Sequence, residues 1–198
     1  MEIIALFPTP VGRFKLDRDL TEREVSFVKN LDRVQNLTNY RSVGSYIFQS
    51  EELKDIYKFC QESVNTFLKE IYVPSTEFNL RITQSWANYA SANQSHHPHE
   101  HPNSFISGVF YVEANRIKDK IHFNRTGYQQ ILAEPAQFNP FNSRAWWLEI
   151  QAGELLLFPS SLNHYVASVI GEERISIAFN TFPVGTIGSE SGLTELKL

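Results

Sequence analysis

Two periods of hydrophobic and polar residues divide the chain. Between residues 51 and 72, Leu53, Ile56, Tyr57, Cys60, Val64, Phe67, Leu68 and Ile71 recur at three- and four-residue intervals. That spacing predicts an amphipathic helix with one apolar stripe, and Ser50 stands where its N-cap belongs. A shorter helix is predicted over "REVSFVKNL", because Thr21 and Glu24 form the T-x-x-E capping box ahead of it. The preceding "EIIALFPTPVGRF" is β-rich but broken by Pro8 and Pro10, which suits an edge strand or an extended entry segment.

From about Leu80 the period changes to two. "LRITQSWANYA", "NSFISGVFYVE", "RAWWLEIQ", "GELLLFP", "YVASVIG" and "RISIAFNTF" are short, rich in β-branched and aromatic residues, and separated by Gly, Pro, Asn and Ser. No crossover helix fits between them, so the expected architecture is a mainly β, α+β fold: a jelly roll with the N-terminal helices on the outer face of one sheet. We read one domain over residues 1–198, with strand and helices to about 75, the jelly roll at about 78–184 and a short tail at 185–198. Residues 115–143 lack a clear period and are expected to include a long loop. Along "RISIAFN", Arg174, Ser176, Ala178 and Asn180 share one face while Ile175, Ile177 and Phe179 share the other, because successive strand side chains oppose each other. An apolar face invites the helix stripe; a polar face turned inward asks for a ligand.

Composition narrows the function. Hydrophobic residues at 42% and aromatics at 13% of 198 suffice for a sizeable core, and a net charge of −4 without a basic run argues against non-specific nucleic-acid binding. The single cysteine, Cys60, sits in an apolar helical pattern, as a buried thiol in a reducing, cytoplasmic setting would. No run of residues approaches a membrane span or a secretory h-region, so no membrane partner is expected.

Four of the six histidines fall in "SHHPHEHPNS": His96, His97, His99 and His101. On a regular strand His97, His99 and His101 share a face, while His96, Pro98 and Glu100 point the other way. An H-x-H pair presents two imidazoles side by side to one metal ion, and His164, after "GELLLFPSSLN", can supply a third from a facing strand. Three protein ligands leave coordination positions open, as catalysis requires. By itself the cluster would equally describe a histidine-rich surface loop or adventitious zinc or nickel binding. His122 in "KIHFN" reads as structural. Ten positions after His164, Arg174 and Ser176 offer a planar fork and a hydroxyl from one strand face, a clamp for the far carboxylate of a small diacid.

With these residues in view, the chain resembles the Fe(II)/2-oxoglutarate-dependent oxygenase superfamily, and within it a small branch found in bacteria and tailed phages. The resemblance rests on "LFPTPV", "WANYA", "HEHPNSFISGVFYV", "GELLLFPSSLNHYV" and "ERISIAFNTF". It implies a double-stranded β-helix, Fe(II), 2-oxoglutarate as cosubstrate and O2, with an unidentified substrate hydroxylated as succinate and CO2 form. If the gene is a phage's, the compartment is the host cytoplasm. Carried over by position, His99, His101 and His164 are the metal ligands, Arg174 and Ser176 hold the cosubstrate, and Asn88 and Tyr111 are further cosubstrate contacts. No catalytic residue beyond the metal site is implied. His97, Glu100 and Asn180 are candidates for supporting or substrate contacts, and Trp86 for a wall. Most of the superfamily places Asp or Glu second in its H-x-D/E pair; here His101 stands there. Glu100 would ligate only from a bulged backbone, and a frame ending at Asn103 would offer a neutral amide. Three imidazoles leave the ion's full charge, so anionic 2-oxoglutarate becomes its main compensation.

Two other readings remain open at this point: a cupin-like metalloprotein that works without 2-oxoglutarate, and an inert jelly-roll interaction module. Arg174-x-Ser176 is the feature the first would not need. For recognition of substrate, residues 115–143 with Arg125, Tyr128, Phe138 and Phe141 are the candidate lid. The Pro-rich N-terminal strand could pair across a homodimer.

Overall fold

In a computed structural model describing residues 1–75, 78–125, 127 and 134–198, the elements run as follows. Strand β1 (Gly12–Lys15) leads to helix α1 (Glu22–Lys29), and the hairpin β2 (Arg33–Gln35) and β3 (Tyr40–Ser42) leads to helix α2 (Lys54–Phe67). Then come β4 (Phe78–Ala90), β5 (His96–His99), β6 (Ile106–Glu113), β7 (Lys120–Asn124), β8 (Ala145–Glu149), β9 (Glu154–Pro159), β10 (His164–Val166), β11 (Arg174–Ile187) and β12 (Leu196–Lys197). One sheet is ordered β1-β9-β6-β11-β4-β3-β2 with β12 beside β11, and the smaller one is β5-β10-β7-β8. All of these named pairings are antiparallel, as a jelly roll requires.

The large sheet uses its two faces as the alternation of β11 demands. Ile175, Ile177 and Phe179 join Phe110, Leu155 and Leu157 in one apolar layer that receives Val28 of α1 and Ile56, Cys60, Val64 and Phe67 of α2. Ile56 and Val64 are completely buried there, each stabilising the packing by roughly 1.5–3 kcal/mol. The helix stripe thins at its edges, since Tyr57 and Ile71 remain partly exposed. Gly108 lets β6 cross the Phe179 ring closely: a Cβ there would collide with the ring. The second core lies between the sheets, where Val109, Tyr111, Ile121, Phe123, Leu156 and Phe158 meet.

Local signals hold in part. Thr21 Oγ1 accepts from the Glu24 amide and the Glu24 carboxylate accepts from the Thr21 amide, completing the capping box. Ser50 does not cap α2; its hydroxyl donates back to the Ile47 carbonyl at 2.6 Å, and a 3-10 turn over Glu51–Leu53 intervenes before the α-helix begins. The N-terminal strand is shorter than expected: pairing starts at Gly12, beyond Pro10, because prolines at 8 and 10 withhold ladder donors. Within residues 115–143, β7 occupies 120–124, and "YVASVIG" is strand only to Val166. Hairpin β2–β3, too short to show a period, extends the large sheet beside β4. Among the described residues no helix is long and apolar enough to cross a membrane.

Candidate metal centre

Each histidine of interest is delivered by a different device. His99 closes β5, and His164 opens β10 directly opposite it in the ladder. His101 lies past the end of β5, in a segment pinned by its amide donating to the Ser160 carbonyl at 3.0 Å and ended by a turn in which Asn103 takes a left-handed φ of 57°. The imidazole rings of His99 and His164 are 4.3 Å apart, those of His99 and His101 5.0 Å, and those of His101 and His164 5.1 Å. One ring nitrogen from each lies within 4.8 Å of the other two.

The hydrogen bonds around the rings decide their tautomers. His99 Nδ1 is 2.8 Å from the His97 carbonyl, His164 Nδ1 is 2.9 Å from the Leu162 carbonyl, and His101 Nδ1 is 2.6 Å from Asn180 Oδ1. Each of these oxygens can only accept, so each Nδ1 must carry the proton and each Nε2 keeps its lone pair. Donation of the outer N–H to a carbonyl or amide is how proteins orient metal-binding imidazoles. His101 Nε2 is buried without a partner among the described residues, an orphan acceptor that a cation would satisfy. Burial, chiefly, also holds the rings neutral: the pKa of His99 is lowered, that of His101 falls to about 4 and that of His164 to about 3, with neighbouring imidazoles adding to the effect. Neutral rings are the ligating form at pH 7. This donor set therefore fits a divalent transition metal ion.

Beside the rings, β11 and β4 furnish a polar cradle. Arg174 and Ser176 line the same cavity as the three histidines, as do Asn88 and Trp86. Arg174 is only 5% exposed, and among the described residues no carboxylate pairs with it. Among the described residues its Nε, Asn88 Oδ1 and the Tyr111 hydroxyl are all buried without hydrogen-bond partners. Arg174 stands over the Tyr111 ring at 5.3 Å, and burial pushes that phenol up to about 12, so it stays a hydrogen-bond donor. A buried guanidinium without a counter-charge is costly by several kcal/mol, and an anion at this end of the cavity removes the cost. Trp86 stacks on His101 at 5.7 Å and 25°.

The other expected residues fall as follows. Asn180 grips His101, as above. Glu100 is exposed and absent from both groups of clustered ligand atoms, and Asn103 is exposed, so neither faces the rings. His122 stacks on Tyr165 at 4.8 Å and belongs to neither group of clustered ligand atoms. His96 departs from the reading by alternation: it lines the cavity and stacks on His99 at 4.5 Å. The cause is a bulge: His99 pairs with His164 but His96 with Val166, so three steps on β5 match two on β10 and the alternation slips. No sequence period could reveal that extra residue. Of the lid candidates, Phe138 and Phe141 are exposed and Arg125 holds the Phe141 carbonyl at 2.8 Å, while Tyr128 lies outside the described residues.

Residues 84–180, which contain every clustered histidine and Arg174, match the family described as "Putative 2OG-Fe(II) oxygenase", 2OG being 2-oxoglutarate. No curated protein matches the sequence. Among solved structures, HygX from Streptomyces hygroscopicus with nickel and 2-oxoglutarate bound aligns with a TM-score of 0.60 at 10% identity, covering 88% of this chain and 83% of its own. A Pseudomonas putida prolyl-4-hydroxylase aligns with a TM-score of 0.56 at 12% identity, covering 88% and 92%. The α-ketoglutarate-dependent epimerase SnoN from nogalamycin biosynthesis aligns with a TM-score of 0.61 at 11% identity, covering 88% and 78%. At these identities the likeness is one of fold.

Proposed function

We propose, for a chain that groups in both sequence and fold with the 2OG-Fe(II) oxygenases, that it is a hydroxylase holding Fe(II) on His99, His101 and His164. Arg174, with Ser176, fixes the C5 carboxylate of 2-oxoglutarate, and Asn88 and Tyr111 complete the polar lining. When bound, iron and 2-oxoglutarate supply the oxidising chemistry: O2 is consumed, the cosubstrate is decarboxylated to succinate and CO2, and a substrate C–H becomes C–OH. The protein's part is orientation and exclusion of water. The carbonyls of His97 and Leu162 and the Asn180 amide aim three lone pairs at one point, while Trp86 and the apolar floor of Val109 and Ile121 keep solvent out.

The observation that carries this reading is Arg174: a buried cation with no carboxylate partner among the described residues, next to three neutral imidazoles. Three histidines contribute no negative charge, so a dianion held by Arg174 would compensate guanidinium and metal together. A metalloprotein acting without a diacid would gain nothing from burying such a group. The test is anaerobic addition of Fe(II) and 2-oxoglutarate to metal-free protein. A visible metal-to-ligand charge-transfer band is expected in the wild type; in Arg174→Ala, Fe(II) affinity should persist while 2-oxoglutarate affinity collapses. No band, with tight zinc binding, would instead favour the cupin-like reading. Succinate released in air then gives a turnover assay that needs no knowledge of the substrate.

A further inference from the structure

The bulge in β5 creates a second constellation. His96, His97 and His99 also bring one ring nitrogen each within 4.8 Å of the others, with ring centroids 4.5 to 5.2 Å apart. Among the described residues, His97 Nδ1 is buried without a hydrogen-bond partner. This trio is half-exposed, whereas His101 and His164 behind it are buried at 7% and 4%. The trio thus lies nearer the solvent than His101 and His164 do.

From this geometry we infer a second divalent-cation position, on His96, His97 and His99, that shares His99 with the inner one and hands its cation to it. The sharing is exclusive. The His99 Nδ1–H is committed to the His97 carbonyl, so the ring has a single lone pair to give. A cation on the outer trio therefore holds the ligand that the inner trio lacks, and the two positions fill one at a time. Transfer needs only an exchange of partners around a ligand that never lets go: His96 and His97 leave as His101 and His164 join. The inference rests on the inner trio being the metal site, and adds how that site is loaded. The ligands are imidazoles alone, so the fitting class is a borderline divalent transition ion rather than calcium or magnesium.

Co(II) alone, added to the metal-free full chain, is the probe, followed by its visible spectrum at equilibrium and by stopped flow. The wild type should take up one equivalent. His96→Ala/His97→Ala should still take up one equivalent at near wild-type affinity but associate several-fold more slowly. His101→Ala should keep a weaker single equivalent that disappears when His96→Ala/His97→Ala is added, with circular dichroism confirming the fold of each variant. Two equivalents in the wild type, or an unchanged association rate in His96→Ala/His97→Ala, would overturn the shared loading site. Because His96 and His97 are half-exposed, the rate comparison stands even if His101→Ala fails to fold. Failure of the inner site itself looks different: a folded His101→Ala would bind Co(II) as tightly as the wild type.

Discussion

The side chain on which most depends without touching the cavity's contents is Asn180. Its Oδ1 accepts from His101 Nδ1 at 2.6 Å, and among the described residues no other acceptor holds that ring in the tautomer with Nε2 free. Asn180→Ala is expected to weaken Co(II) or Fe(II) affinity by about 10–100-fold, while Asn180→Asp, which keeps the acceptor, recovers most of it. Equal losses from both variants would mean that the contact is merely packing. At the cradle, Arg174→Lys is not conservative, because a point charge cannot reproduce the planar two-pronged match to a carboxylate. Weaker 2-oxoglutarate binding with metal affinity intact is the expected result in a titration of each. Strand alternation put both residues on one face with positions 176 and 178, and the spacing of Arg174-x-Ser176 from His164 singled out the arginine.

At the scale of elements, the same alternation worked for β11 and failed for β5. β11 is a long strand paired on both sides, and its two register shifts, between Ile175 and Ser176 against β6 and between Phe179 and Thr181 against β4, put the extra residue on the neighbour, so its own alternation is kept. β5 is four residues long and bulged against β10, which turns His96 into the cavity instead of away from it. Helix signals divided similarly. The Thr21 capping box formed, and Thr21→Ala should cost about 0.5–2 kcal/mol, read as a lower urea midpoint with unchanged slope. Ser50 lost its capping role because the Ile47 carbonyl, three residues behind, competes for the hydroxyl. Gly108 lies against the Phe179 ring with no room for a Cβ. Gly108→Ala should destabilise by about 1–3 kcal/mol through overpacking, and Phe179→Leu in that background should recover part of it. Full additivity of the two substitutions in denaturation would contradict the contact.

For the whole molecule, neutral histidines packed in one cavity tie stability to pH. An unfolded imidazole titrates near 6.5, while folded His101 and His164 have pKa values of about 4 and about 3 and His96 about 2, all through burial first. Below about pH 6.5 the unfolded chain binds protons that the folded chain refuses, so metal-free protein should lose stability progressively as pH falls towards these depressed values. Its urea midpoint should be roughly flat from pH 7 to 8 and fall steadily below about 6.5; a midpoint that rises on acidification would contradict the burial of neutral rings. A bound divalent ion stabilises the folded state by mass action and requires the same unprotonated nitrogens, so the metal-dependent increment should shrink over the same range.

The sequence by itself determined the layers and the ingredients. A helical stripe over 53–71 and an alternating strand over 174–180 must bury their apolar sides, and they bury them against each other. What remains of the alternation leaves Arg174 and Ser176 facing inward with the histidines. Only the tertiary structure decided which imidazoles converge, which nitrogen each presents, and that Arg174 meets no carboxylate among the described residues. The reason is physical. Period reports the facing of side chains along one regular element, whereas a bulge, a turn past a strand's end and a carbonyl from the next loop are relations between elements. The histidine run could therefore be read as metal-binding from its composition, but its division into an inner and an outer trio, joined at His99, exists only once β5 is bent against β10.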